Sequence, residues 1–321
     1  MKTSVALCTY NGEKYLKEQI DSILNQSLLV DEFVICDDRS TDNTIAILND
    51  YKVRFPELFK IHINEATLKS TLNFQKALRL CSNEVIFLSD QDDLWQKDKV
   101  REFVDVFMEN ADIDVIASNG NFYDGEVFIT DRHSVWDIPY FIGESGIHKP
   151  NYFEIISAIT NISTGSAMAI RKKFIKNIPS FPEIENMYHD EYIALIAARE
   201  NKFYFLDKKL FSYRIHNEQQ VGLYFFNINK INIDYLLKPY KRNKTFTDYK
   251  QLLKLISTRY KKHSNIVNFT KLDPYYYELF ESMRNTSKSL FNKNQLEMKN
   301  KFPIKSFILR LLDYLTKKRT L

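Results

Sequence analysis

Cysteine is nearly absent from this chain. Its three cysteines, Cys8, Cys36 and Cys81, share no metal-ligand spacing, which excludes a cysteine-based metal module and leaves them as small core residues in a reducing compartment. Long apolar runs are also missing. No stretch is long enough to span a bilayer, and Met1-Lys2-Thr3 lead straight into a strand pattern, so neither a transmembrane helix nor a signal peptide is expected and a cytoplasmic location is. There is no internal repeat and no low-complexity tract. Charge of one sign is lacking too: 45 Lys and Arg stand against 41 Asp and Glu, a net +4, too mild an excess to argue for nucleic acid as a partner. Hydrophobic residues make up 44% of the 321 positions, enough for one large domain or a catalytic domain with an appendage.

What is present is an alternation. Residues 4–7, 33–36, 61–63, 85–89 and 115–117 are short apolar runs that read as strands. Between them lie helical patterns, such as Leu16, Ile20, Ile23 and Leu24 on one face. This predicts an α/β fold, a mostly parallel sheet with helices on both faces. Three strand ends carry polar clusters: Thr9-Tyr10-Asn11, Asp37-Asp38 and Asp90 to Asp93. A parallel sheet brings all three to one edge, and one convergent site accounts for them better than three coincidences. Residues 124–150 read as loops near that site. Residues 166–170 read as a strand, and 203–206 with 210–215 as a closing strand pair. Beyond about Leu223, Lys, Asn, Tyr and Phe dominate and the pattern is helical. The chain therefore divides into residues 1–222 and a helical extension, 223–321.

The segment Ser89-Asp90-Gln91-Asp92-Asp93-Leu94-Trp95 says most about chemistry. Three carboxylates in four positions repel one another unless a cation sits among them or the chain end is well solvated. At the carboxyl end of a strand in an α/β sheet, where ligands bind, a divalent cation is the expected answer. Hard oxygen ligands suit Mg²⁺ or Mn²⁺, which bridge one or two carboxylates to substrate phosphates. The motif predicts a metal–diphosphate site.

Four blocks, in order, resemble the inverting glycosyltransferases of family 2 over residues 3–220. They are Ser4-Val5-Ala6-Leu7-Cys8-Thr9-Tyr10-Asn11, then Cys36-Asp37-Asp38-Arg39-Ser40-Thr41-Asp42, where Gly is usual at Arg39, then Ser89-Asp90-Gln91-Asp92-Asp93, and finally His189-Asp190-Glu191. The resemblance implies the GT-A fold with a helical C-terminal extension. It also implies metal-dependent transfer from a nucleotide-sugar donor to a saccharide or lipid-linked acceptor. Leu94-Trp95, Thr164-Gly165 and Tyr213-Arg214-Ile215-His216 narrow the resemblance to a rhamnosyltransferase-like branch, which implies L-rhamnose from dTDP-rhamnose in cell-surface polysaccharide synthesis. A UDP-hexose or UDP-N-acetylhexosamine transferase of the same family is the alternative, and a non-catalytic sugar-nucleotide-binding protein the remote one.

By this resemblance Tyr10 lies beside the pyrimidine, Asp38 accepts from its N3–H with Asp37 adjacent, and Thr9, Asn11, Glu13 and Asp90 complete the nucleotide set. Asp37-Asp38 also read as helix caps, and Asn11-Gly12 as a local turn. Asp92 is the first choice for the metal, with Asp90 and His216 as further ligands. Arg214 and His216 are expected at the diphosphate; a salt-bridged Arg and a surface His at a strand end would fit the same pattern. Asp190 is the expected base, because an in-line displacement needs one carboxylate on the acceptor side; an acid at a helix start also suits the helix dipole. His189 and Glu191 are fallback bases and join Thr164, Gly165 and Trp95 around the sugar or acceptor. Trp95 reads first as core, and Trp136 could serve either purpose.

Two other enzyme classes fit poorly. A phosphatase of the haloacid dehalogenase type also sets Asp-x-Asp after a strand, but here the cluster follows the fourth strand and Asp93-Leu94 replace the usual continuation. A sugar nucleotidyltransferase would open with a glycine-rich loop, which is absent. At the far end, Ile304, Phe307, Ile308, Leu311, Leu312 and Leu315 share a helical face, with Lys305, Arg310, Lys317, Lys318 and Arg319 around it. Such a basic amphipathic helix is expected to lie on an anionic membrane face, peripheral to the inner side of the cell membrane. Packing on its own domain or on a second subunit is the alternative.

Overall fold

The computed structural model describes residues 1–130, 132–139, 151–216, 226–227, 241 and 243–321. Its principal elements begin with β1 (Thr3–Thr9), α1 (Leu16–Leu24), β2 (Glu32–Asp37), α2 (Thr44–Arg54), β3 (Phe59–Ile63) and α3 (Lys69–Leu80). Then come β4 (Val85–Ser89), β5 (Leu94–Trp95), α4 (Lys99–Glu109), β6 (Val115–Tyr123), β7 (Phe128–Ile129) and α5 (Tyr152–Ala158). They close with β8 (Met168–Arg171), α6 (Lys172–Lys176), α7 (His189–Arg199), β9 (Phe203–Arg214), α8 (Phe246–Phe269), α9 (Pro274–Lys301) and α10 (Pro303–Thr316).

The chain falls into two compact units, residues 1–132 with 163–223 and residues 133–162 with 224–321. Residues 133–162 group with the C-terminal helices rather than with the residues on either side of them in sequence. Packing, not pattern, sends them there: Ser287 Oγ on α9 donates to Ser157 O at 3.2 Å, and Arg259 Nε on α8 to Ile159 O at 2.9 Å. Of the loops expected over 124–150, residues 131 and 140–150 lie outside the described residues.

In the first unit one sheet runs β3-β2-β1-β4-β8-β6-β9-β5, with β7 paired on β6. β3, β2, β1 and β4 are mutually parallel, as are β6 and β9. β8 is antiparallel to both its neighbours, β4 and β6. β1, β2 and β4 are buried along their whole length, which is why they read as unbroken apolar runs rather than alternating ones. The strand expected over 166–170 begins as a 3₁₀ turn, Gly165–Ala167, and pairs only from Met168. The expected closing pair is a single strand, β9, whose register shifts between Leu206 and Phe211 against β6. Its two apolar halves look separate in sequence because the irregular stretch between them carries exposed polar residues.

The core below the sheet edge joins Val5, Leu7, Phe33, Ile35 and Phe87 to the apolar stripes of α1 and α4. Pairing of Leu7 with Ser89 and of Thr9 with Asp37 levels the ends of β1, β2 and β4. That register delivers the three polar clusters to one edge. Cys8, Cys36 and Cys81 are buried free thiols.

The second unit is helical. Thr245 and Asp248 form a reciprocal capping box at the start of α8, and Asp273 with Pro274 starts α9. Leu252, Leu253 and Ile256 of α8 and Leu279, Phe280 and Met283 of α9 are buried. Among the described residues no helix is long and apolar enough to cross a membrane.

Candidate active site

The sheet edge opens into a cleft of about 1300 Å³ within the first unit, walled by residues 8–15 after β1, by Asp38, by the start of α3, by Asp90-Gln91-Asp92, by residues 182–188 and by His216. On one side the two acids at the end of β2 accept hydrogen bonds from the protein. Asp37 is buried and accepts from Thr9 Oγ1 at 2.7 Å, Ser40 N at 2.8 Å and Ser40 Oγ at 2.5 Å. Asp38 accepts from Asn64 Nδ2 and Leu68 N at 2.7 Å and from Lys69 N at 2.9 Å. These acids therefore cap the start of α3 and the loop after β2, not α2. A carboxylate has about four lone-pair positions, so Asp38 keeps one for a ligand. Asn11, at φ 47°, accepts from Thr41 N at 2.8 Å, and Glu13 accepts from Asn43 N at 2.8 Å. Both tie the loop after β1 to the approach to α2. Tyr10 leaves its ring 46% exposed at the cleft.

Opposite stands the end of β4. The Asp90 carboxylate accepts no hydrogen bond among the described residues. Burial, followed by the charges of Asp93, Asp92 and Asp190, pushes it well above the usual carboxylate range. Asp92 Oδ2 lies 3.0 Å from His216 Nε2. Asp93 is buried, accepts from Arg214 N at 3.1 Å, and is likewise raised by burial and by Asp92. Arg214 does not present itself at the cleft as expected. It is 3% exposed, donates to Asp92 O at 2.8 Å and to Glu18 Oε2 at 2.5 Å, and lies over the Tyr15 and Tyr123 rings. Its guanidinium holds the acidic turn in place.

The third wall starts at α7. Asp190 is half-buried; burial, then the neighbouring Glu191, raises its carboxyl to about 7. Asp190 is close enough for its charge to raise Asp90 in turn. His189 stacks on Phe74 of α3, ring centroids 3.8 Å apart, and burial lowers its pKa to about 3, so the ring is neutral. Among the described residues neither ring nitrogen has a hydrogen-bond partner. A Cβ on Gly165 would fall 2.7 Å from His189 Nε2 and 3.7 Å from Asp90 Oδ2. Gly165 is thus required by the approach of His189, and half-buried Thr164 immediately precedes that contact.

Trp95 is not a pocket residue. It is buried in the core against Phe87, ring centroids 5.4 Å apart. Trp136 is fully buried in the second unit, with no face open to a sugar. Two residues escaped the sequence pattern. Gln91 accepts from Tyr10 N at 2.8 Å and donates to Tyr10 O at 3.0 Å, stitching the β4 turn to the β1 loop. A Cβ on Gly12 would meet this side chain at 2.4 Å. Lys99 is fully buried, donates to Ser166 O and lies over Trp95, with its charge toward Asp93 and Asp90. Its place in the stripe Lys99, Phe103, Phe107 is the one signal that could have found it, a lysine where spacing demands an apolar residue.

Among the described residues no three His, Cys, Asp or Glu side chains close into a metal cage. Mg²⁺ or Mn²⁺ needs only one or two carboxylates beside water and phosphate oxygens. Asp90 and Asp92 are hard oxygen donors on the cleft wall whose mutual repulsion a cation relieves. The donor set fits such an ion.

The sequence pattern of Glycosyl transferase family 2 matches residues 4–178. The chain is 30% identical over 224 residues to "dTDP-rhamnosyl transferase RfbG" of Shigella flexneri, covering 67% of this chain and 73% of that one. It is 27% identical over 225 residues to an uncharacterized glycosyltransferase of Nostoc, covering 67% of this chain and 65% of that one. In three dimensions it resembles S. aureus TarS 1-349 in complex with UDP-GlcNAc (TM-score 0.53, 16% identity, 94% of this chain and 92% of that one). It also resembles the mannosyltransferase PcManGT of Pyrobaculum calidifontis in complex with GDP-Man and Mn²⁺ (TM-score 0.55, 13% identity, 98% and 80%). The parallel β3-β2-β1-β4 edge, the acidic turn after β4 and these likenesses agree: the fold is GT-A, and the chain belongs to glycosyltransferase family 2.

Proposed function

We propose that this chain transfers L-rhamnose from dTDP-rhamnose, with inversion and with Mn²⁺ or Mg²⁺ bound, to a saccharide or lipid-linked acceptor in cell-surface polysaccharide synthesis. The observation that carries the reaction is the acidic end of β4, where Asp90, with no hydrogen-bond donor among the described residues, stands beside the His216-paired Asp92 on a cleft wall within electrostatic reach of Asp190. The rhamnosyl assignment is supported by the similarity to the Shigella dTDP-rhamnosyl transferase.

In this proposal the pyrimidine lies against the exposed Tyr10 ring, and its N3–H takes the remaining lone pair of Asp38. Asp92, with Asp90 and His216, would hold the cation, which would supply Lewis-acid stabilisation of the leaving diphosphate. Arg214 acts through Asp92, whose carbonyl it grips. Asp190 takes the proton of the acceptor hydroxyl. A carboxyl raised to about 7 is a far better proton acceptor than an ordinary one and still ionises near neutral pH. His189, neutral and unpartnered, offers a hydrogen bond to the sugar or acceptor beside that base.

A transfer and binding panel of dTDP-rhamnose, UDP-glucose, UDP-N-acetylglucosamine and GDP-mannose, each with Mn²⁺ and with chelator, tests this. Selective, Mn²⁺-dependent use of dTDP-rhamnose is expected. Selective use of a UDP-sugar would discard the rhamnosyl assignment and keep the chemistry.

A further inference from the structure

We propose that α10 is an interfacial helix that docks the chain on an anionic lipid surface. The helix is turned inside out relative to an ordinary surface helix. Its buried residues are Ser306, Leu309 and Asp313, a mostly polar stripe. Its large apolar residues face outward: Ile304, Phe307, Ile308, Leu311, Leu312, Tyr314 and Leu315 are between 49% and 81% exposed. At about 100° per residue these seven fall within an arc of roughly 160°, and the buried stripe lies diametrically opposite. Packing on its own unit is therefore already accounted for by the polar stripe and does not cover the apolar face.

Specific bonds fix this orientation. Arg319 Nε donates to Asp313 Oδ2 at 3.0 Å and the two side chains form an ion pair. Ser257 Oγ on α8 donates to Thr320 O at 2.6 Å, and Lys261 Nζ to Lys317 O at 3.2 Å. The C-terminal end is tied to α8, so the helix cannot simply roll its apolar side inward.

Charge identifies the occupant. Lys305, Arg310, Lys317 and Lys318 are exposed, and the one acid within α10, Asp313, is buried in its ion pair with Arg319. Lys305 and Arg310 fall on opposite margins of the apolar arc, where long basic side chains reach headgroup phosphates while the apolar residues enter the acyl boundary. Two copies joined face to face would bring like charges together, whereas an anionic leaflet attracts every one of them. At 14 residues the helix reaches about 21 Å, short of the roughly 30 Å hydrocarbon core. It lies in the interface and does not cross it.

The test is flotation of the full chain with vesicles of phosphatidylcholine alone and of phosphatidylcholine mixed equally with phosphatidylglycerol. Binding to the mixed vesicles only is expected, weakening as salt rises. Leu311→Glu with Leu315→Glu should reduce it about tenfold or more, and Lys305→Glu with Arg310→Glu should do the same, since each cation near an anionic surface contributes about a fivefold factor. All four positions are exposed, and far-UV circular dichroism checks that the variants stay folded. Failure of the unaltered chain to float, or equal flotation of both variants, overturns the proposal. So does a dimer that the Leu311→Glu, Leu315→Glu variant splits while no form of the chain binds vesicles. Transfer to a soluble acceptor should survive both pairs of substitutions, so this result and that of the donor panel are separable.

Discussion

Asp37 and Asp38 at the end of β2 and Asp90 at the end of β4 share one edge of one sheet, yet they stand in opposite electrostatic states. Asp37 and Asp38 are surrounded by protein donors. Asp90 has none among the described residues and faces three other carboxylates, with the Lys99 charge a smaller counterweight. A buried carboxylate supplied with N–H donors holds local structure together. One left without a donor among like charges destabilises the free protein and is relieved by a partner from outside. The difference separates acids held by protein donors, of which Asp38 keeps one lone pair for a ligand, from an acid left open to one, although both read as the same motif type in the chain.

The largest effect should come from the acid at the start of α7. Asp190→Asn is expected to lower the transfer rate about a thousandfold, within the range of lost general base catalysis, while donor affinity measured by calorimetry stays unchanged. Because the base must be ionised, the rate in the unaltered chain should rise with pH through about 7, the value to which burial and then Glu191 raise this group, and level off above it. Residual activity of Asp190→Asn should lack that rise. Near-normal transfer would remove Asp190 from the role.

Next come two substitutions of opposite sign. Asp38→Ala leaves Leu68 N, Lys69 N and Asn64 without their acceptor and should cost about 2–3 kcal/mol of stability in denaturant titrations. Asp90→Asn removes one of the repelling charges. A carboxyl whose pKa is raised in the folded state destabilises that state as pH climbs from the unfolded value through the folded one. At pH 8, without metal, Asp90→Asn should therefore raise the melting temperature by about 2–4 °C. Equal signs for the two substitutions would erase the distinction between the strand ends.

The smallest effect belongs to Arg39. It sits at φ 68° and donates to Glu65 O at 3.3 Å. A left-handed backbone costs a side-chain-bearing residue about 1–2 kcal/mol, and glycine avoids that cost while losing more chain entropy. Arg39→Gly should be neutral or stabilising by no more than about 1 kcal/mol, and a clear loss of stability would show that the Glu65 contact outweighs the strain.

The strand ends were legible in the chain because an apolar run followed directly by acids fits little else than a strand entering a polar site in an α/β pattern. Arg39, where the family usually has Gly, carried a conformational message that the left-handed φ explains. What stayed illegible depended on packing between distant segments. Gln91 looks like a spacer between aspartates, and only the fold brings it to Tyr10. Lys99 counts as one more charge until its burial beneath the acids is seen. Trp95 follows the acidic turn but pairs with Phe211, which draws it into the core. The reversal of β8 and the departure of residues 133–162 to the second unit likewise come from partners that no local periodicity reveals.

The most direct test of the central claim is calorimetric titration of dTDP into the unaltered chain and into Asp92→Asn, each with Mn²⁺ and with chelator. Mn²⁺ should tighten dTDP binding to the unaltered chain about tenfold or more, the contribution of a cation bridging carboxylate and diphosphate, and Asp92→Asn should abolish that gain while keeping the weak, metal-free affinity. Equal affinity with and without Mn²⁺ in the unaltered chain, or a full Mn²⁺ response in Asp92→Asn, would contradict the assignment of the β4 acids to a metal–diphosphate site.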